Sequence, residues 1–176
     1  MKRIRTVLLR GRRGVTLLEL MVVIAIMGTI TLAAPGIFNK IYQFTKLSMA
    51  RIEIQKNARG SLSNLNRDIR QALAGTIVID SLSGQPPHSR ITFTKYNSSG
   101  GTETVSYYQK GNYLYLASGG ATEGKLLVGN LRYLAFTYPG TKDDTIISIS
   151  VTFEKATYQG GTKALQMAVE KVRIMN

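Results

Sequence analysis

Residues 12–30 read RRGVTLLELMVVIAIMGTI. Two arginines and a glycine lead into a run apolar enough for a lipid bilayer, yet Glu19 stands inside it. A carboxylate at the centre of a membrane helix costs about 2.5–3.5 kcal/mol, less near an end. Its presence asks for a compensating partner. From Leu20 to Asn39 the chain has twenty uncharged residues, which at about 1.5 Å each reach about 30 Å, the thickness of the hydrocarbon layer. Pro35 and Gly36 near the far end of this run predict a kink.

Working toward the N-terminus, residues 1–14 hold six bases (Lys2, Arg3, Arg5, Arg10, Arg12 and Arg13) and no acid. The bias of positive charge toward the cytoplasm then places the N-terminus inside and everything after Lys40 outside. The same count reinterprets the composition. A net charge of +13 points first to nucleic acid or an anionic surface. Removing residues 1–14 leaves seventeen bases against ten acids, so much of the excess belongs to the leader. The chain has no cysteine, which excludes a disulfide framework and a thiolate metal site.

Toward the C-terminus the helical period continues. Ile37, Ile41, Phe44 and Leu47 recur at three- and four-residue steps. After a slip near Met49–Ile52 the stripe resumes with Ile54, Ala58, Leu62, Leu65, Ile69 and Leu73. One covered face of an amphipathic helix produces this pattern. Gly60 weakens the helix by about 1 kcal/mol relative to alanine, and Gly75 stands where a helix stop is expected. The reading is one nearly continuous helix over 15–74, too long for a head of this size to bury.

Beyond Gly75 the period becomes two. TIVID (76–80), RITFTKY (90–96), TVSYYQ (104–109), NYLYLA (112–117), LRYLAFTY (131–138), TIISISVTFE (145–154) and KALQMAVEKVRI (163–174) read as strands, separated by Gly- or Pro-Gly-containing breaks. In the clearest, Ile147, Ile149, Val151 and Phe153 alternate with Ser148, Ser150 and Thr152. Short connections imply antiparallel neighbours, and Gly111–Asn112 marks a hairpin between tyrosine-rich strands. The fold class is α+β, a long N-terminal helix packed on an antiparallel sheet. The divisions expected are a leader over 1–14, a transmembrane or filament-core helix over 15–39, an amphipathic helix over 40–75 and a β-rich head over 76–176.

With Gly14 preceding Val15-Thr16-Leu17-Leu18-Glu19-Leu20 and an apolar helix, the sequence resembles the type IV pilin-like class. That class has a short basic leader, a glycine, and glutamate as the fifth residue after the cut. The residue after the cut is usually Phe or Met there and is Val15 here. LSNLNRDIRQA (62–72), VSYYQKGNYLY (105–115), LLVGN (126–130) and LRYLAFTY (131–138) look like the J-type minor pseudopilins of type II secretion and the W-type minor pilins. The resemblance implies a structural subunit, not an enzyme, in the bacterial inner membrane, with its head in the periplasm and later incorporated into a filament. It implies cleavage between Gly14 and Val15 by a prepilin peptidase and N-methylation of Val15. Membrane lipid, the inner-membrane assembly platform and other major and minor pilins or pseudopilins are the implied partners. The function implied is tip assembly or priming of a secretion pseudopilus; the alternative is a type IV pilus subunit in adhesion, motility or DNA uptake. In the filament, Glu19 would pair with the Val15 amine of a neighbour, each charge offsetting the other's desolvation. Gly28, Thr29, Ala33 and Ala34 would let helices approach closely.

Plainer readings compete. A secretory signal peptide fits the basic start, and Thr31-Leu32-Ala33 offers a small-x-small site, but Glu19 inside the apolar core argues against it. A plain single-pass anchor leaves the Gly14–Glu19 spacing unexplained. Lys40, Lys46, Arg51, Lys56, Arg59, Arg67 and Arg70, against Glu53 and Asp68, form a basic helix face that could meet lipid or DNA. From Arg51 to Arg70 no aromatics interleave with these bases, so a solvated face is the simpler reading and nucleic acid is disfavoured. Tyr107, Tyr108, Tyr113, Tyr115, Tyr133 and Tyr138 could form a contact patch, although half-buried strands favour tyrosine anyway. Asp143 and Asp144 offer carboxylates to calcium, as loops in some pseudopilins do, but lack regular ligand spacing; no cofactor is otherwise expected. His88 is the only histidine, and without a cysteine no nucleophile–base pair forms around it.

Overall fold

The apolar run after Thr16 forms the first part of helix α1, Leu17–Arg70, and the amphipathic stripe forms the rest. In the computed structural model, residues 14–121, 123–140, 145–158 and 163–175 are described. The chain divides into two units, Met1–Tyr42 and Gln43–Asn176. In the first unit the helix passes through Pro35 as one assigned element. Its apolar segment is long enough to cross a membrane and buries none of its side chains within the monomer.

In the second unit α1 buries Ile54, Ala58, Leu62, Leu65 and Ile69 of the stripe read from the sequence, together with Ala50, which that reading placed in the slip near Met49–Ile52. It also buries Ser61 and Asp68, which that reading did not include. Ile54, Leu65 and Ile69 are fully covered, each worth about 1.5–3 kcal/mol of removed apolar surface. The helix ends at Arg70, not at the expected 74. Leu73 N–H donates to the Thr94 carbonyl at 2.9 Å, and Ala72 bridges Lys95. Pairing with a strand thus overrides the local helix preference, and Gly75 sits in a 3-10 turn, Ala74–Thr76.

Eight strands follow: β1 Val78–Asp80, β2 Arg90–Tyr96, β3 Thr102–Lys110, β4 Tyr113–Ser118, β5 Lys125–Val128, β6 Leu131–Thr137, β7 Ile146–Lys155 and β8 Ala164–Arg173. They form two antiparallel sheets, β1-β2-β3-β4-β5 and β6-β7-β8. Seven were read from the sequence. β5 was not, because four residues between Gly124 and Gly129 are too few to show a period. The Gly111–Asn112 hairpin is as expected, with Lys110 opposite Tyr113. Gly111 adopts φ +60°, the positive value that a primed two-residue turn requires. At Gly124 a Cβ would stand 2.8 Å from the Tyr108 hydroxyl and 3.0 Å from the Leu116 carbonyl oxygen. Only glycine admits β5 so close to β4.

The core collects Phe93, Tyr107 and Leu114 from the first sheet, Leu134, Phe136, Ile149, Val151 and Phe153 from the second, and the helix stripe. Ile147, Ile149, Val151 and Phe153 are all fully buried, as their alternation predicts. On the opposite face Ser148 is buried as well, between Thr137 and Lys171 on the flanking strands. Gln109 of β3 joins the sheets. Its amide donates to the Gly111 and Arg132 carbonyls and accepts the Leu134 N–H at 3.0 Å.

Candidate functional site

Gly14, Val15 and Thr16 precede the helix and are exposed. Thr16 is its N-cap: the Oγ1 accepts the Glu19 N–H at 3.2 Å, and the Thr16 carbonyl accepts the Leu20 N–H at 3.1 Å. This places Glu19 at the third helical position. Threonine three residues before glutamate ahead of an apolar run is the sequence signal for such a cap. The sequence reading noted Thr16 for its spacing and missed this role. A carboxylate in the first turn also complements the helix dipole, worth about 0.3–1 kcal/mol. The cap and the dipole together account for a carboxylate at this third helical position.

Farther along the helix, Thr29 Oγ1 donates to the Ile26 carbonyl at 2.7 Å and Thr31 Oγ1 to that of Met27 at 2.8 Å. Both hydroxyls are thereby satisfied without water. Gly28 has open space around the position of an absent Cβ.

Residues 9–35 match the family model described as the prokaryotic N-terminal methylation motif. This N-terminal segment is type IV pilin-like. The match covers the motif alone, and neither a curated protein nor a solved structure matches the chain. The motif implies processing by a prepilin peptidase and pilin-type assembly, and its family consists of structural subunits. The apolar helix of this pilin-like chain is consistent with membrane anchoring.

A buried polar cluster in the head joins the helix to the first sheet. The Tyr107 hydroxyl donates to Asp68 Oδ2 at 2.7 Å, while Lys95 Nζ stands 3.1 Å and Arg67 Nε 3.4 Å from Asp68 Oδ1. Asp68 comes from α1, Tyr107 from β3 and Lys95 from β2, so the cluster fixes the helix against the first sheet. Burial, together with the bond to Asp68, pushes the Tyr107 hydroxyl above the ordinary tyrosine range. Phe93 stacks on the same ring at 6.4 Å.

The six tyrosines do not form one patch. Tyr107 is buried. Tyr108 stacks on Tyr115 at 5.5 Å, and its hydroxyl accepts the Gly124 N–H. Tyr113 meets Tyr115 edge-on. Tyr133 and Tyr138 belong to the other sheet and its border and are exposed.

His88 serves through its backbone. At φ 58° it turns its carbonyl to accept the Phe136 N–H at 2.9 Å. Asp143 and Asp144 lie outside the described residues, as do the leader bases. Among the described residues no three histidine or carboxylate side chains converge as metal ligands. Of the two acids on the basic helix face, Glu53 pairs with Lys155 and Asp68 lies in the buried cluster.

Proposed function

We propose that the chain is a minor pseudopilin-like subunit of a type II secretion pseudopilus that acts in tip assembly and priming of the filament. The observation that supports a filament role is Gly14–Val15 standing exposed before a Thr16-capped helix whose only charge before Lys40 is Glu19. The head pattern supports the narrower choice. The peptidase hydrolyses the Gly14–Val15 bond on the cytoplasmic side, removes six bases and leaves an ammonium at Val15, which is then methylated. The head stays in the periplasm. The new cation lies beside the positive end of its own helix dipole, an unfavourable place. In a bundle shielded from water, Glu19 of a neighbour neutralises it, and this pairing selects one axial step between subunits.

Intact-mass measurement of the protein from membranes is expected to give a chain beginning at N-methyl-Val15; a mature terminus at Ala34 overturns the reading. Glu19→Gln is expected to leave membrane insertion normal while partner pilins cease to co-purify and secretion falls. Normal secretion with normal co-purification would remove the pairing role. Mass spectrometry of the partners decides between the secretion pseudopilus and a type IV pilus.

A further inference from the structure

A groove of about 760 Å³ opens where α1 meets the C-terminal end of β8. Arg59, Arg67 and Arg70 line it from the helix, and Glu170 lines it from β8. All three arginines are exposed. The helix's own acids leave them in excess: Glu53 is engaged by Lys155, and the single charge of Asp68 is shared among Arg67, Lys95 and Tyr107. Three planar guanidinium groups on one wall select carboxylates or phosphates, which they bind through paired hydrogen bonds.

The rest of the lining distinguishes the two. Leu62 and Met175 give the groove apolar surface, and among the described residues no aromatic side chain lines it for a base to stack on. The Asn66 side-chain oxygen is buried without a hydrogen-bond partner. As an acceptor it calls for a donor such as a peptide N–H, which a phosphodiester backbone lacks. Residues 15–176 carry seventeen bases against ten acids, so a second copy of this chain would be repelled at long range. We propose that the groove receives an acidic polypeptide segment of a different protein, with carboxylates on Arg59, Arg67 and Arg70 and apolar side chains on Leu62 and Met175. The inference concerns the head and stands whether or not the filament reading holds.

The test uses the full chain in a non-ionic detergent and a fluorescent peptide of about a dozen alternating glutamate and leucine residues, read by anisotropy. Replacing Arg59, Arg67 and Arg70 together by Gln is expected to weaken binding about tenfold or more. Replacing Arg51, Lys56 and Lys110 by Gln removes equal charge outside the groove and is expected to change it by no more than about twofold. Ser63→Tyr keeps every charge, crowds the groove from an exposed position, and is expected to weaken binding too. Equal weakening by the two charge-removing triples, or no effect of Ser63→Tyr with the melting transition intact, overturns the proposal. So does a labelled DNA duplex that binds more tightly than the peptide and loses its binding in the groove triple alone.

Discussion

Asp68 and Thr16 show how much single side chains decide here. Asp68 is nearly fully buried and keeps its place through Tyr107 and Lys95. Tyr107→Phe removes the shortest of these bonds and is expected to cost about 1–3 kcal/mol, seen as a lower urea midpoint with an unchanged slope. The same substitution has a pH signature. The folded state holds the Tyr107 hydroxyl above its ordinary value, so its contribution is complete below about pH 10 and is lost as pH rises toward and through the folded value. The alkaline fall in stability is expected to be shallower in Tyr107→Phe, measured by urea unfolding across that range. Thr16→Val keeps the shape of the side chain and deletes the cap, at about 1 kcal/mol. In micelles the Glu19 amide is expected to exchange about fivefold faster, with amides beyond the first turns unchanged.

Among elements, the two sheets depend on a residue that neither sheet contains for its own sake. Gln109 belongs to β3 and satisfies two backbone groups of β6, the Arg132 carbonyl and the Leu134 N–H. Gln109→Leu is expected to destabilise the head by about 2–4 kcal/mol, because the Leu134 N–H is left buried and unpaired. Hydrogen exchange should show the Leu134 amide losing protection first, before amides in the middle of β7. Helix α1 divides its work along its length. After Gln43 it covers a sheet with Ile54, Leu65 and Ile69, while Leu20–Phe38 keeps its apolar side chains exposed. Exposed apolar surface on that scale marks a segment meant for a membrane or a partner.

At the scale of the whole molecule, the core cluster of the described residues lies within 43–176, from Ala50 to Ile174 with Leu47 packed against it. That portion is expected to fold alone, with mixed helix and strand by circular dichroism and a cooperative melting transition. An aggregating product without a transition would show that the head depends on the segment before it. The filament role proposed above would place different demands on the two units: a partner for Glu19 in the apolar segment, and for the head only its own sheets and helix.

The long apolar helix was legible in the sequence, because its physics is local: apolar length acts over a few turns of one element. The threonine three residues before Glu19 is just as local a signal, and the sequence reading missed its role as a cap. The stripe from Ile54 to Ile69 and the alternation in Ile147–Phe153 were equally plain, since burial on one face repeats with the period of the element. Other features arose only from tertiary contact. The helix stops at Arg70 because Leu73 and Ala72 pair with β2, not because Gly75 follows. Asp68 and Tyr107 stood among a basic face and a tyrosine run, and only folding brings them within a hydrogen bond across 39 positions. The split into two sheets, joined through Gln109, and the arginine groove beside β8 likewise depend on residues far apart in the chain. Periodicity records which face is covered; the choice of what covers it is made by packing between distant segments, which no local pattern encodes.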